Sequence, residues 1–231
     1  MTDFLPLPPS MVQRAREFRG PPAPTRAAAT VVLMRPSPTN EHGTFEVYVL
    51  RRRTTMVFGG VYAFPGGGVD PSDRLPVSTP EVRADRARRL GLPPDEAAAV
   101  LAAAVREVHE ETTVRLEEDR LLPWARWITP EFEPRRFDTW FFVAPLPPGE
   151  EAHDISGEAD LTAWTSPAEA LARYAAGEFR MLPPTVVVLR DLAAYTRVED
   201  VVAAAAGRDA ARPVMPRVEL TADGGAHLHL P

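Results

Sequence analysis

The first long apolar block is Ala27 to Met34, Ala-Ala-Ala-Thr-Val-Val-Leu-Met. It lacks polar alternation, which predicts a buried strand. Phe45 to Arg51 alternates as Phe-Glu-Val-Tyr-Val-Leu-Arg and predicts a second strand, paired with the first across the breaker-rich stretch Arg35 to Gly43. A short apolar piece, Val61 to Phe64, stands between Gly59-Gly60 and Pro65-Gly66-Gly67-Gly68. Two helices are predicted next. One runs from Pro80 to Leu90, with Thr79 as N-cap and Gly91 at its end; the other runs from about Asp95 to Thr113. The longest apolar run, Ala97 to Val105, lies in the second helix and falls far short of the roughly 18 residues that cross a bilayer. Further strands are expected at Leu121 to Ile128, Phe137 to Ala144 and Leu161 to Trp164. Three more helices are expected, from Ser166-Pro167 to about Ala176, from Thr185 to Tyr195 and from Val198 to Ala206. Arg217 to Leu220 and Ala226 to Leu230, around Asp223-Gly224-Gly225, read as a final hairpin.

Short strands with interspersed helices indicate an α/β or α+β domain, over about residues 27–210. A proline-rich arm (1–26), with a short helix from Met11 to Arg19, precedes it, and the hairpin tail (211–231) follows. The arm and the tail are candidates for mediating a homodimer.

Composition narrows the chemistry. At 231 residues and 25.4 kDa the chain can bury a core without cross-links. It has no cysteine, which removes disulfides, thiol nucleophiles and Cys-ligated metals and fits a reducing cytoplasm. All 26 basic residues are arginine, so Schiff-base and P-loop lysine chemistry is excluded. A net charge of −6 argues against broad nucleic-acid binding. The first residues carry no basic segment followed by an apolar run, so neither a signal peptide nor membrane association is expected.

The chemistry-bearing segment is Arg106-Glu107-Val108-His109-Glu110-Glu111. On a helix Glu107, Glu110 and Glu111 stand at i, i+3 and i+4 and share one face. Three adjacent carboxylates repel unless a divalent cation sits among them, and hard cations take oxygen ligands of this kind. Taken alone, the triplet equally describes a solvated acidic face. Upstream stands Phe64-Pro65-Gly66-Gly67-Gly68, whose glycines allow the backbone to approach a ligand closely.

Together these segments resemble the signature of the Nudix hydrolases, G-x5-E-x7-R-E-U-x-E-E-x-G-U with U apolar. Gly67 fits the opening glycine, and Arg106, Glu107, Val108, Glu110, Glu111 and Val114 fill their slots. Asp73 stands in place of the first Glu and Thr113 in place of the last Gly. Between Asp73 and Arg106 lie 32 residues where the signature has seven, an insertion of 25 that is expected to carry a helix at about 72–94. A split signature of this form, the run Gly60 to Gly67, and the stretches Trp127 to Glu131, Pro134 to Phe142 and Trp164 to Leu171 resemble the branch that includes the peroxisomal acyl-CoA diphosphatases.

The resemblance implies an α/β/α sandwich around a mixed sheet and the hydrolysis of a diphosphate in a small-molecule nucleotide conjugate, with CoA or acyl-CoA as the specific expectation. It implies Mg²⁺ or Mn²⁺ held by Glu107, Glu110 and Glu111, with the Gly67 carbonyl as a further ligand. Arg106 is placed to orient Glu107. The base that takes the proton of water is Glu107 or, from a later loop, Glu158. Arg51, Phe64, Gly66 and Arg136 are the candidate substrate contacts. Arg83, Arg86, Arg88 and Arg89 on the inserted helix could also meet an anion, although a solvated face accounts for them as well. The competing class is a Nudix-fold binding or regulatory module that has lost hydrolysis.

Overall fold

In the computed structural model the apolar run near residue 30 becomes the axis of a mixed sheet. The structure describes residues 4–7, 9–38, 45–53, 59–74, 80–155, 157, 159–208, 210–221 and 226–229. Thr79, Glu158 and the tail turn at 223–225 lie outside the described residues.

The chain opens with a three-residue strand β1 (Phe4–Pro6) and helix α1 (Pro9–Glu17), then enters β2 (Thr25–Pro36) and β3 (Phe45–Arg52). Two short strands follow, β4 (Tyr62–Ala63) and β5 (Gly66–Gly68). A 3-10 turn (Pro71–Arg74) leads toward the inserted helix α2 (Pro80–Leu90) and the long helix α3 (Pro94–Thr112). Next come β6 (Leu122–Ile128), β7 (Arg136–Pro145), β8 (Ala159–Thr165), α4 (Pro167–Ala175), α5 (Pro183–Leu192) and α6 (Val198–Ala205). The chain closes with β9 (Pro213–Val214), β10 (Arg217–Leu220) and β11 (Ala226–His229).

Strand β2 carries the sheet. It runs parallel to β7 from the Thr25–Arg136 pair to the Met34–Pro145 pair. Its other edge is shared: β3 pairs with it at Met34, Arg35 and Pro36, and β5 pairs with it at Ala28, Ala29 and Thr30. Successive side chains on a strand point to opposite faces, so an uninterrupted apolar run means that both faces are covered. Val32 and Met34 join Val47, Val49, Trp124 and Phe141 under α5 and α6. Val31 and Leu33 join Tyr48, Trp140 and Phe142 under α3, which meets them with Val100, Leu101, Ala104 and Val108. The result is the expected α/β/α sandwich.

Helix α2 lies on α3 through Ala87 and Leu90. The indole N–H of Trp140 donates to the Leu90 carbonyl at 3.0 Å, and Gly91 ends the helix at φ 64°. The expected helix of the insertion therefore forms and belongs to the α3 layer. No helix among the described residues is long and apolar enough to cross a membrane.

The arm and the tail meet. Strand β11 pairs antiparallel with β10, as the hairpin reading expected, and also with β1, Phe4 lying opposite His229. Leu7, Met11, Ala226 and Leu228 are buried in the main core. Arg14 on α1 grips the buried Glu133 through Nε and Nη2 at 2.9–3.2 Å. This three-stranded sheet and α1 sit over one end of the sandwich.

Helix α3 leaves at Thr113, which adopts φ 65° and donates its N–H to the His109 carbonyl at 2.9 Å. This left-handed cap suits glycine, and a β-branched residue held there is strained by about 1–3 kcal/mol. Thr113→Gly is expected to raise the urea midpoint, by about 1 kcal/mol of stability after the greater freedom of glycine in the unfolded chain is subtracted. Equilibrium urea denaturation followed by circular dichroism measures it.

Candidate active site

The last two turns of α3 supply the site because their two faces differ. Ala104, Val108 and Thr112 are buried on the sheet side. Arg106, Glu107 and Glu110 face the turn that follows β5, and Glu111 lies at the boundary, 4% exposed. A buried carboxylate needs donors. Glu111 Oε2 accepts the N–H of Gly66 at 2.8 Å.

Glu107 lies directly on the backbone of β5. A Cβ added to Gly67 would fall 2.4 Å from Glu107 Oε1 and 2.5 Å from Cδ, so no residue but glycine leaves this carboxylate where it is. Gly66 is constrained from the other side: a Cβ there would meet the Ala29 carbonyl at 2.3 Å. The glycine run lets β5 fit between β2 and the acidic face of α3.

Arg106 binds the parts together. Its Nε and Nη2 form a two-pronged contact with Asp73, both at 2.9 Å. Nη1 donates to Glu107 at 2.8 Å and to Glu110 at 3.0 Å, and Nη2 reaches the Gly68 carbonyl at 3.0 Å. Asp73, 6% exposed, also accepts the Asp70 N–H at 2.8 Å. Burial raises the Asp73 pKa, but the Arg106 guanidinium and the Asp70 amide outweigh it and hold the carboxyl below its usual range. The Asp73 contact likewise raises the pKa of Arg106. Asp73 thus orients the arginine that orients Glu107. Glu110 is at the rim, its side chain 55% exposed.

The oxygen-only donor set, the shared helix face and the cradle at Gly67 fit a hard divalent cation. In the present rotamers Arg106 takes Glu107 and Glu110, Glu111 faces Gly66, and no three His, Asp or Glu side chains among the described residues stand at metal-ligand spacing.

The other face of Gly66–Gly68 borders a cleft of about 300 Å³. Phe64, Trp127, Phe141 and Leu182 line it, with Met11 from the arm and Pro216 and Leu228 from the tail. Phe64 and Gly66, two of the expected substrate contacts, both line this cleft. Arg51 does not: its side chain forms an ion pair with Asp160 at 2.7 Å on β8. Arg136 is corrected as well. It is 8% exposed and spends its donors on the carbonyls of Thr129 (3.0 Å) and Ala23 (2.8 Å), which fastens β7 to the arm. On α2, Arg86 pairs with Glu118, Arg88 with Asp85, and Arg89 reaches the Ala205 carbonyl.

Arg52, next to Arg51 on β3, also lines the cleft. Side chains alternate along a strand, so Arg52 stands on the face opposite Arg51 and Arg53. The contributions of Met11, Pro216 and Leu228 carried no local signal, because they depend on strands more than 200 residues apart pairing.

A family model described as "NUDIX domain" matches residues 24–184. The chain belongs to the Nudix family. A human relative, acyl-coenzyme A diphosphatase NUDT19, is 32% identical over 109 residues, 46% of this chain and 29% of that protein. The matched region is thus less than a third of the relative's length. Among solved structures, a Nudix hydrolase from Alicyclobacillus acidocaldarius superposes with a TM-score of 0.62 at 28% identity, covering 78% of this chain and 96% of that one. Nudix hydrolases generally use divalent metal ions.

The lowered pKa of Asp73 has a thermodynamic consequence. A carboxyl depressed in the folded state stabilises it above the unfolded value, about 3.9, and this stability is lost as pH falls through the lower folded value. The stability difference between wild type and Asp73→Asn should therefore be constant from pH 7 to about pH 5 and shrink below about pH 4. Urea midpoints measured across pH 7 to 3 test this.

Proposed function

We propose that this chain hydrolyses a diphosphate bond in a nucleotide conjugate by attack of water at phosphorus, with Mg²⁺ or Mn²⁺ bound. The observation that carries the reading is the cradle in which Gly67, lacking a side chain, receives the Glu107 carboxylate beside the buried Glu111. Glu107, Glu110 and Glu111, with the Gly67 carbonyl, are the groups that would hold the cation. When bound, it neutralises charge on the diphosphate and on the leaving phosphate.

The chain's own residues do the rest. Glu107 accepts the proton of water as the new P–O bond forms and the bridging P–O bond breaks, the leaving phosphate taking that electron pair. Arg106 fixes the direction of Glu107 in the free protein, and Asp73 fixes Arg106. Glu158 is the other acid proposed as base. Glu158→Gln leaves hydrolysis nearly unchanged if Glu107 is the base, and an acidic limb missing from its pH–rate profile moves the assignment to Glu158.

Two lines support CoA or acyl-CoA as the substrate: the split signature with the run Gly60 to Gly67, and the partial match to a relative named as an acyl-CoA diphosphatase. The apolar cleft beside the glycine strand also suits the non-nucleotide half of such a molecule.

Mg²⁺ or Mn²⁺ should raise the melting temperature by binding the folded state preferentially. Glu111→Gln should remove most of that gain, and Gly67→Ala should reduce it by displacing Glu107. Differential scanning calorimetry with and without EDTA reads both variants, and an undiminished shift in Glu111→Gln places the ion elsewhere.

Products released from CoA, ADP-ribose, NADH and dinucleoside polyphosphates, resolved by chromatography, should show metal-dependent cleavage that EDTA abolishes, with CoA the best substrate. Glu107→Gln should lower kcat by orders of magnitude while the protein stays folded. Brisk cleavage of ADP-ribose with CoA untouched would end the CoA assignment.

A further inference from the structure

The cleft beside Gly66–Gly68 is walled by aromatic, aliphatic and proline side chains, yet one cation lines it. Arg52 is the only basic residue at its described surface, and Glu133, the only acid there, is already held by Arg14. The Nε of Arg52 is buried and has no hydrogen-bond partner. Among the described residues the other such donors are Tyr48 Oη and Trp124 Nε1, and neither lines the cleft. Arg51 has Asp160, Arg106 has Asp73, Arg126 has Asp138, and the buried Arg136 has two backbone carbonyls.

Leaving the Nε–H without a partner is costly, because the water this one donor has lost is not replaced. Natural structures leave few buried donors unsatisfied, and a partner that comes and goes accounts for one lining a cleft. The backbone explains how Arg52 arrives. Pairing of β3 with β8 slips in register between Arg51 and Arg52, and Arg52 is held by its own backbone, its N–H donating to the Val61 carbonyl at 3.0 Å and its carbonyl accepting from Gly60 at 2.7 Å. Arg51 turns to Asp160 while Arg52 lines the cleft.

We propose that Arg52 is the anion-binding residue of the cleft, where it holds a phosphoryl group of the substrate against apolar walls. This rests on the diphosphatase reading, since it takes the substrate to be a nucleotide conjugate. The planar fork of the guanidinium suits two phosphoryl oxygens. Arg52 thereby sets specificity for the charged part of the substrate, while the carboxylates of α3 carry the chemistry.

The test is a pair of titrations in EDTA, with ADP and adenosine as probes that differ by the diphosphate alone. By isothermal titration calorimetry the wild type should bind ADP more tightly than adenosine. Arg52→Gln should lose about ten- to hundredfold in ADP affinity and leave adenosine unchanged, and Arg52→Lys should keep part of the difference. With the best substrate of the panel, Arg52→Gln should raise KM while kcat holds. Glu111→Gln should abolish hydrolysis but keep the preference for ADP, so that failure of the diphosphatase reading and failure of the anion site show up separately. Equal binding of ADP and adenosine by the wild type overturns the proposal. So does an ADP affinity unchanged in Arg52→Gln, or a parallel loss of both ligands in that variant.

Discussion

One guanidinium holds the site together. Arg106 makes contacts of 2.8–3.0 Å with Asp73, Glu107, Glu110 and the Gly68 carbonyl, and so joins the 3-10 turn, the glycine strand and the long helix. Take it away and the carboxylates of Asp73, Glu107 and Glu110 lose the cation they share. The glycine run depends on the same contact, because β5 can lie against α3 only if Glu107 is held in the space that a side chain on Gly67 would fill. The sheet depends on it in turn, since β5 occupies the edge of β2 that β3 leaves bare.

The arrangement also explains how an insertion of 25 residues is tolerated inside a signature whose spacing is otherwise tight. Asp73 sits in a short turn fixed by its own hydrogen bonds to Asp70, and the extra chain begins directly after that turn. The helix it forms then docks on α3 through Ala87 and Leu90. Loop length costs little in closure entropy once both ends are anchored, and here both ends are.

Much of the sandwich could be read from the chain, for physical reasons that differ by element. Strand β2 was legible because a strand covered on both faces needs no polar positions, and α2 because Pro80 and Gly91 mark its two ends. The acidic face of α3 followed from i, i+3, i+4 spacing alone. What could not be read depends on distant partners. Strand β1 is three residues long with proline at its end, and only β11 makes it a strand. Arg136 beside an apolar strand looked available for substrate, but its donors are claimed by carbonyls that come near only after folding. Arg51 stood among the expected substrate contacts, but its side chain is paired with Asp160 while its neighbour Arg52 lines the cleft.

The closing of the arm onto the tail has a consequence in time. Phe4 pairs with His229, so a wall of the cleft needs both the first strand and the last. During synthesis from the N-terminus, every strand of the larger sheet has been made before β10 and β11 appear. The α/β/α layers can therefore condense around an unfinished pocket, which is completed only when β11 pairs with β1 and β10. A chain lacking β10 and β11 would keep its carboxylate cluster while lacking the wall that Leu228 gives the cleft.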